Sequence, residues 1–271
     1  MLERADRRAL HFVIAAFIAA ANFFALPAKA QAPTPIQAYE RWIEPVVSYL
    51  TIPHLHQKLD VFGGIDSAKA NTFAWMGATY APMGTLAEDG LRVRFMAGMG
   101  RYSYQTSIAP GGINDANVFS GELLGGYRKT FDNIFGNTLY VGAFAGLHYE
   151  DQILAYSDPF NPARGSEAGI KASLELYSRV WQRYIASAFG SASTVHNKYY
   201  VKASLLYEFT ENWALGGEVA TMGDARYSED RAGIAASLTW RRKIFVLSAG
   251  ALENSGRGSG AYTTLSVYSP F

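Results

Sequence analysis

The sequence contains no cysteine, little charge and, beyond its first thirty residues, no long hydrophobic run. The absence of cysteine excludes a disulfide framework, a thiolate metal site and a cysteine nucleophile. Charged residues make up only 17% of the chain, whereas 49% of the residues are hydrophobic and 14% are aromatic. A mean hydropathy of -0.02 argues against a bundle of membrane-spanning helices. The hydrophobic residues must therefore be distributed periodically along the chain.

The first thirty residues have the pattern of a secretory signal peptide. A basic start with Arg4, Arg7 and Arg8 is followed by an apolar stretch over 12–26 and by Ala-Lys-Ala at 28–30. This order predicts cleavage after residue 30. The alternative is an uncleaved anchor, but the apolar stretch is shorter than the roughly 20 residues that a spanning helix needs.

The charge of the mature chain is nearly balanced. Removal of residues 1–30 takes away four of the 24 basic and two of the 23 acidic residues, which leaves a net charge of -1. Binding to nucleic-acid phosphates requires a basic surplus, so no nucleic-acid partner is expected.

The remainder of the chain alternates with a period of two. In 91–99, Leu91, Val93 and Phe95 lie on one face of an extended segment, while Arg92 and Arg94 lie on the other. Similar alternation recurs at 119–128, 139–150, 168–177, 199–209, 213–219 and 231–240. The apolar faces carry no charge and have aromatic residues near their ends, which is typical of a membrane β-barrel. A soluble β-sandwich is the alternative fold, but its buried faces would favour large aliphatic residues.

The sequence predicts an all-β, transmembrane, antiparallel up-and-down barrel of about twelve strands after a cleaved signal peptide. The predicted strands cover 57–66, 70–81, 91–104, 118–130, 138–150, 166–179, 184–194, 199–209, 213–222, 228–240, 244–252 and 260–270. The barrel domain is thus 57–271. Residues 31–56 are interpreted as a periplasmic leader, a disordered segment or a plug that enters the lumen.

The predicted lumen is narrow and balanced in charge. Twelve strands about 4.8 Å apart and tilted by about 40° give a backbone diameter of about 24 Å and a free width of about 10 Å or less. The inward basic residues are Lys58, Arg92, Arg94, Arg128, Lys171, Arg179, Lys202 and Arg231. The inward acidic residues are Asp60, Asp66, Glu122, Glu150, Glu175, Glu208 and Glu218. This lining does not suit an ion-selective pore and leaves two interpretations, a filled interior or a channel for a neutral, hydroxyl-rich solute.

Inward aromatic residues are the candidates for stacking on sugar rings, together with charged residues of the same face. The candidate ligand contacts are Tyr102, Tyr104, Tyr140, Tyr177, Tyr200, Arg92, Arg94, Glu122 and Glu175.

The sequence has no recognised catalytic or phosphate-binding motif, and no cofactor and no metal are predicted. His54 and His56 share a strand face but have no evident third ligand. His148 and Glu150 could form a base and its orienting group, with Ser120 or Ser173 as the nucleophile. The more ordinary interpretation of His148 is a hydrogen-bonded lumen residue.

Several glycine–aromatic segments resemble the BcsS family of cellulose biosynthesis proteins. These segments are 62–66 (FGGID), 77–82 (GATYAP), 89–94 (DGLRVR), 100–104 (GRYSY) and 125–129 (GGYRK). The resemblance implies an outer-membrane role in cellulose production or secretion in a Gram-negative bacterium, and no catalytic residues carry over from it.

The leading hypothesis is a non-enzymatic barrel that assists cellulose (β-glucan) biosynthesis, export or surface organisation. Its expected partners are outer-membrane lipid, a cellulose or β-glucan chain and the cellulose export machinery. The alternatives are a small passive diffusion channel, an outer-membrane lipid or glycan hydrolase, and a closed barrel that anchors a synthase or export complex.

Overall fold

The computed structural model describes residues 57–270 except 135, 136, 182, 226, 242, 256 and 257. The predicted signal peptide, the leader over 31–56 and the pair His54 and His56 lie outside the described residues. Within the described part of the chain, no helix is long and apolar enough to cross a bilayer.

Twelve antiparallel strands close into a single barrel, which confirms the predicted fold. Each strand pairs with its sequence neighbours, and β1 closes the barrel against β12 from Asp60↔Pro270 to Ala68↔Tyr262. The strands are β1 Leu59–Ala68, β2 Asn71–Tyr80, β3 Gly90–Gln105, β4 Ile113–Ile134, β5 Asn137–Leu154, β6 Gly165–Val180, β7 Tyr184–Ser193, β8 Tyr199–Glu208, β9 Trp213–Gly223, β10 Ser228–Trp240, β11 Lys243–Asn254 and β12 Gly258–Pro270.

The outer face of the barrel is apolar and exposed, whereas the inner face is polar and buried. Leu147, Ile170 and Ile234 are 68%, 62% and 65% exposed, and each points outward. Inward-facing Arg92 and Glu150 are each only 2% exposed. An outer face of this kind requires lipid as its surroundings, and a closed sheet can span lipid because no strand edge is left unpaired. The protein is therefore an outer-membrane β-barrel, and the soluble sandwich is excluded.

Strands β3 to β6 are longer than predicted, and the longest of them extend beyond the membrane at the outer end. They have 16, 22, 18 and 16 residues, whereas β1, β2, β7 and β8 have ten each. The lipid-facing residues of β4 run from Phe119 to Tyr127, which corresponds to about 20–25 Å along the barrel axis. Above this band the outward face becomes polar, as in the exposed ion pair of Arg101 with Asp115 at 2.5 Å. Polar residues interrupt the apolar outward face there, so the period-two signal ends while the strands continue.

The links between strands differ at the two ends of the barrel. Both ends of the described barrel lie at one rim, which we take as the periplasmic rim because barrel chains enter from that side. The outer links are shorter than predicted, with 106–112 in place of 105–117 and 155–164 in place of 152–165. The periplasmic rim instead carries one long link at 81–89, whose residues Ala81 and Leu86 are buried.

Candidate functional site: the barrel lumen

Most predicted lumen charges form ion pairs within the described barrel, and one group of pairs lies along β4 to β8. Lys171 pairs with Glu122, and Arg179 pairs with Glu208 at 2.6 Å. Glu150 pairs with Lys198 at 2.5 Å. Glu122 and Glu150 are deeply buried, so these carboxylates are compensated by the pairing rather than by water.

A second group of pairs lies along β8 to β12 and β1. Arg231 binds Asp66 through two hydrogen bonds of 2.6 and 2.9 Å and binds Glu229 at 2.6 Å. Glu218 pairs with Lys202 at 2.7 Å. The two groups neutralise the lumen walls locally.

Arg94 and Glu175 connect strands on different sides of the lumen. Arg94 of β3 forms a two-point hydrogen-bonded pair with Glu175 of β6, the second contact being 3.0 Å. The guanidinium also lies over the ring of Phe144 at 4.0 Å and over that of Phe62 at 5.8 Å. The Glu175 side chain remains 36% exposed. This pair therefore narrows the lumen while staying accessible to a solute.

Arg92, also a candidate ligand contact, is occupied by the periplasmic link at 81–89. Its guanidinium donates to the carbonyl oxygens of Thr85 at 3.1 Å and Leu86 at 3.3 Å. Arg128 donates to the Leu86 carbonyl at 2.7 Å. Arg92 is only 2% exposed, so it holds the link against the periplasmic rim of the barrel.

The candidate tyrosines all face the lumen but belong to separate pairs. The rings of Tyr102 and Tyr104 are 5.9 Å apart on β3, and those of Tyr140 and Tyr177 are 6.0 Å apart on β5 and β6. Tyr200 of β8 lies 5.8 Å from Phe189. The structure therefore places the candidates on the inner face of one barrel without bringing all of them together.

Four further inward aromatic residues on β1, β2 and β12 were missed by the sequence analysis. The ring centroids of Phe62 and Tyr268 are 6.2 Å apart in a stacked arrangement, and those of Phe73 and Trp75 are 6.4 Å apart. Both faces of β2 are apolar, so its period-two pattern does not show which face is inward. The available signal was the glycine on the neighbouring strands opposite these rings. We call Tyr268, Phe62, Trp75, Phe73, Tyr102 and Tyr104 the aromatic strip.

The outer link over 155–164 folds onto the inner side of β3 and β4 and is organised by Asp158. The Asp158 carboxylate accepts hydrogen bonds from Tyr104 at 3.1 Å, Thr106 at 2.9 Å and the Phe160 amide at 3.0 Å. Burial acts to raise the pKa of Asp158, but these donors outweigh it and hold the pKa below its ordinary value.

The link over 155–164 should lose the hydrogen bonds to the Asp158 carboxylate only in acid. Because the folded pKa of Asp158 is depressed, its contribution is complete above the ordinary value of 3.8 and is lost as the pH falls through the lower folded value. Pepsin cleavage within 155–164 is therefore expected to begin only below the ordinary Asp value of 3.8. Asp158→Asn should allow cleavage at a higher pH than in the unmodified barrel, and the exposed Asp230→Asn should not. Equal digestion of both variants would contradict this role.

His148 does not form the pair with Glu150 that the hydrolase alternative requires. Its Nδ1 instead lies 2.8 Å from the hydroxyl oxygen of Ser193, while Glu150 is held by Lys198 and Gln152. Ser193 also accepts a hydrogen bond from the amide of Val195 at 3.1 Å, which shapes the following link. Among the described residues, neither Ser120 nor Ser173 hydrogen-bonds to this histidine, and the serine that does, Ser193, is the last residue of β7.

The sequence of the whole barrel matches one protein family. The family model for the cellulose biosynthesis protein BcsS matches residues 61–271. The chain belongs to the BcsS family. This membership confirms the resemblance seen in the glycine–aromatic segments and connects the barrel to cellulose biosynthesis.

Comparison with curated protein sequences finds no match. Among solved structures, this BcsS-family chain is similar to a KdgM porin, with 8% identity, a TM-score of 0.46, and coverage of 78% of this chain and 99% of that one. It is also similar to the translocator domain of autotransporter NalP from Neisseria meningitidis, with 12% identity, a TM-score of 0.41 and coverages of 87% and 96%. A third similar structure is Wzi from Escherichia coli, described as a carbohydrate-binding barrel of capsule assembly, with 8% identity, a TM-score of 0.31 and coverages of 90% and 90%.

Breaking the pair of Arg94 and Glu175 from either side should shift ion selectivity in opposite directions. Arg94→Gln leaves a carboxylate in the lumen and is expected to favour cations, whereas Glu175→Gln leaves a guanidinium and should favour anions. The double variant removes both charges and should return to the selectivity of the unmodified barrel. The measurement is the reversal potential across a planar bilayer under a salt gradient. A shift of the same sign in both single variants would contradict the pairing.

Proposed function

We propose that this protein is a non-enzymatic outer-membrane barrel that assists cellulose production by accepting a neutral β-glucan chain in its lumen, for export or surface organisation. The observation that carries the proposal is the distribution of charge in the lumen. The buried carboxylates Glu122, Glu150 and Glu218 are each compensated by a basic side chain. A wall neutralised in this way offers no net field to an ion, yet its paired polar groups can still exchange hydrogen bonds with hydroxyl groups.

Family membership supports the cellulose pathway, and the charge-paired lumen supports a neutral solute as the proposed ligand. A passive channel for small ions is less well supported, because single-sign rings line such pores. Because the Glu175 side chain is partly exposed, an ion in the lumen would meet its carboxylate. Conductance measurements therefore test the passive-channel alternative.

Deletion of the gene and measurement of extracellular cellulose test the proposed function. The amount or the architecture of the polymer should change, and re-expression of the full chain should restore it. Unchanged amount and architecture would overturn the proposal. Barrel conductance that no cello-oligosaccharide affects would favour the passive channel instead.

Replacement of His148 separates the non-enzymatic proposal from the hydrolase alternative. Among the described residues, His148 is the only one whose side chain is hydrogen-bonded to Ser193, and His148→Ala removes this contact. The variant should leave the cellulose output of the complemented strain unchanged within error. Ser193→Ala is the matched control at the other end of the same contact. Loss of output with both variants, while the barrel still assembles, would support a hydrolase.

A further inference from the structure

The rings on β1 and β2 lie flat against the barrel wall because glycine stands opposite them. A Cβ atom added at Gly64 would lie 2.5 Å from the Trp75 ring, and one added at Gly77 would lie 2.6 Å from the Phe62 ring. The Phe73 ring covers Gly98 in the same way, at 2.5 Å. Each ring therefore occupies the space of a missing side chain and turns one face towards the lumen.

The register of the strands arranges the rings of the aromatic strip in successive rows. Phe62 pairs with Tyr268 across β1 and β12, and Trp75 lies one row higher, opposite Gly64. Phe73 follows in the next row, and Asn71, one row above it, is paired with Tyr102. Rows are about 7 Å apart along a strand. The strip thus runs from the periplasmic part of the lumen to its outer part along one wall.

The strip is accessible from the lumen, unlike the aromatic residues next to it. Tyr268 is 49% exposed, and the other five rings are partly exposed. Phe144 and Tyr262, which also cover glycines, are 5% and 3% exposed. Tyr140, Tyr177, Phe189 and Tyr200 are also partly exposed, but they form two isolated pairs. A continuous run of partly exposed rings therefore lies on the β12–β1–β2–β3 wall, while the ion pairs along β4 to β8 line another part of the lumen.

We propose that the aromatic strip is a binding track for a single β-1,4-linked glucan chain, whose C–H faces stack on Trp75 and Phe73. This inference rests on the proposed function and names the surface that performs it. A β-1,4-glucan is a flat ribbon with C–H groups on its faces and hydroxyl groups on its edges. The electron-rich ring faces attract the C–H groups, and the edges point towards the paired charges of Arg94 and Glu175 at the lower end of the strip.

Calorimetric titration of cellohexaose into the full-length barrel in detergent micelles tests the track and does not require conduction. Each stacked ring contributes a factor of about two to ten in affinity, so Phe73→Ala with Trp75→Ala should weaken binding by roughly tenfold or more. Trp213→Ala removes a ring of equal size from the lipid-facing side and should leave binding unchanged. Trp75→Phe should retain most of the affinity that Trp75→Leu loses.

A glycine variant alters the strip without removing a ring. Gly98→Ala places a methyl group where the Phe73 ring now lies, with the nearest backbone atom at 3.2 Å, so the ring must tilt into the lumen. Cellohexaose binding should fall several-fold. Gly121→Ala on the outward face of β4 has only a backbone oxygen 4.0 Å away and serves as the control.

The outcomes distinguish the track from the proposed function. No cellohexaose binding to the unmodified barrel, or equal binding of maltohexaose, would overturn the track as a β-1,4-glucan site. Binding that survives Phe73→Ala with Trp75→Ala in a folded barrel would place the glucan elsewhere in the lumen, and the proposed function would stand. A gene deletion without effect on cellulose would overturn the proposed function whatever the barrel binds in solution.

Discussion

Replacement of Arg231 with alanine is expected to lower the free energy of unfolding by about 3–5 kcal/mol, because it leaves buried carboxylates without a counter-charge. The Arg231 side chain is 6% exposed and is shared between Asp66 and Glu229, whose side chains are 15% and 0% exposed. Asp66 lies on β1 and Glu229 on β10, so Arg231 also connects strands on either side of the β11–β12 pair. Urea titration of the barrel refolded into lipid vesicles, followed by tryptophan fluorescence, measures the loss.

The matched control is the exposed pair on the outer face. Arg101 and Asp115 are 2.5 Å apart, with side chains that are 65% and 38% exposed. Because solvent-exposed pairs contribute about 0–1 kcal/mol, Arg101→Ala should change stability little. Losses of similar size in the two variants would show that burial does not determine the contribution of these pairs.

Gly216→Ala is expected to destabilise the barrel by about 1–3 kcal/mol, because the added methyl group meets backbone that cannot move aside. The Cβ position at Gly216 is only 1.9 Å from the carbonyl oxygen of Leu205 and 2.7 Å from Cα of Leu206. Backbone atoms of a paired strand yield less readily than a side chain, so β8 and β9 would have to separate locally.

Gly125→Ala should instead raise the free energy of unfolding. Gly125 faces lipid, and no atom lies within 4 Å of its Cβ position. Alanine restricts the unfolded chain there, so a gain of about 0.5–1 kcal/mol is expected. Parallel urea titrations of the two variants provide the test, and destabilisation of both by equal amounts would refute the role given to close strand approach.

The alternation of residues was sufficient to predict the barrel, because each lipid-crossing strand must place apolar residues on its outer face. Leu91, Val93 and Phe95 face outward and Arg92 and Arg94 face inward, as their positions in the sequence indicate. This alternation can be read within each strand, and the surrounding lipid requires it at nearly every strand. β4 leaves the membrane at Asn117, where its outer face becomes polar. Alternation therefore does not predict where the strand begins.

The partners within the lumen could not be predicted, because they depend on closure and register. Arg231 and Asp66 are 165 residues apart in sequence and meet only when β12 pairs with β1. Similarly, His148 and Glu150 share a strand face, but each is bound by a residue from the β7–β8 region. Trp75 was missed because both faces of β2 are apolar, and only the position of Gly64 across the strand pair shows where its ring lies.

The unequal strand lengths give the outer rim of the barrel a slope. β3 extends six residues past Met99 and β4 six residues before Phe119, which corresponds to a wall about 15 Å high above the lipid. The ten-residue strands β1, β2, β7 and β8 end close to the membrane surface on either side of this wall. Under the proposed function, a polymer that leaves the lumen would meet a barrier on one side and a low edge on the others. It would then emerge obliquely and run along the cell surface, in a direction fixed by the orientation of each barrel.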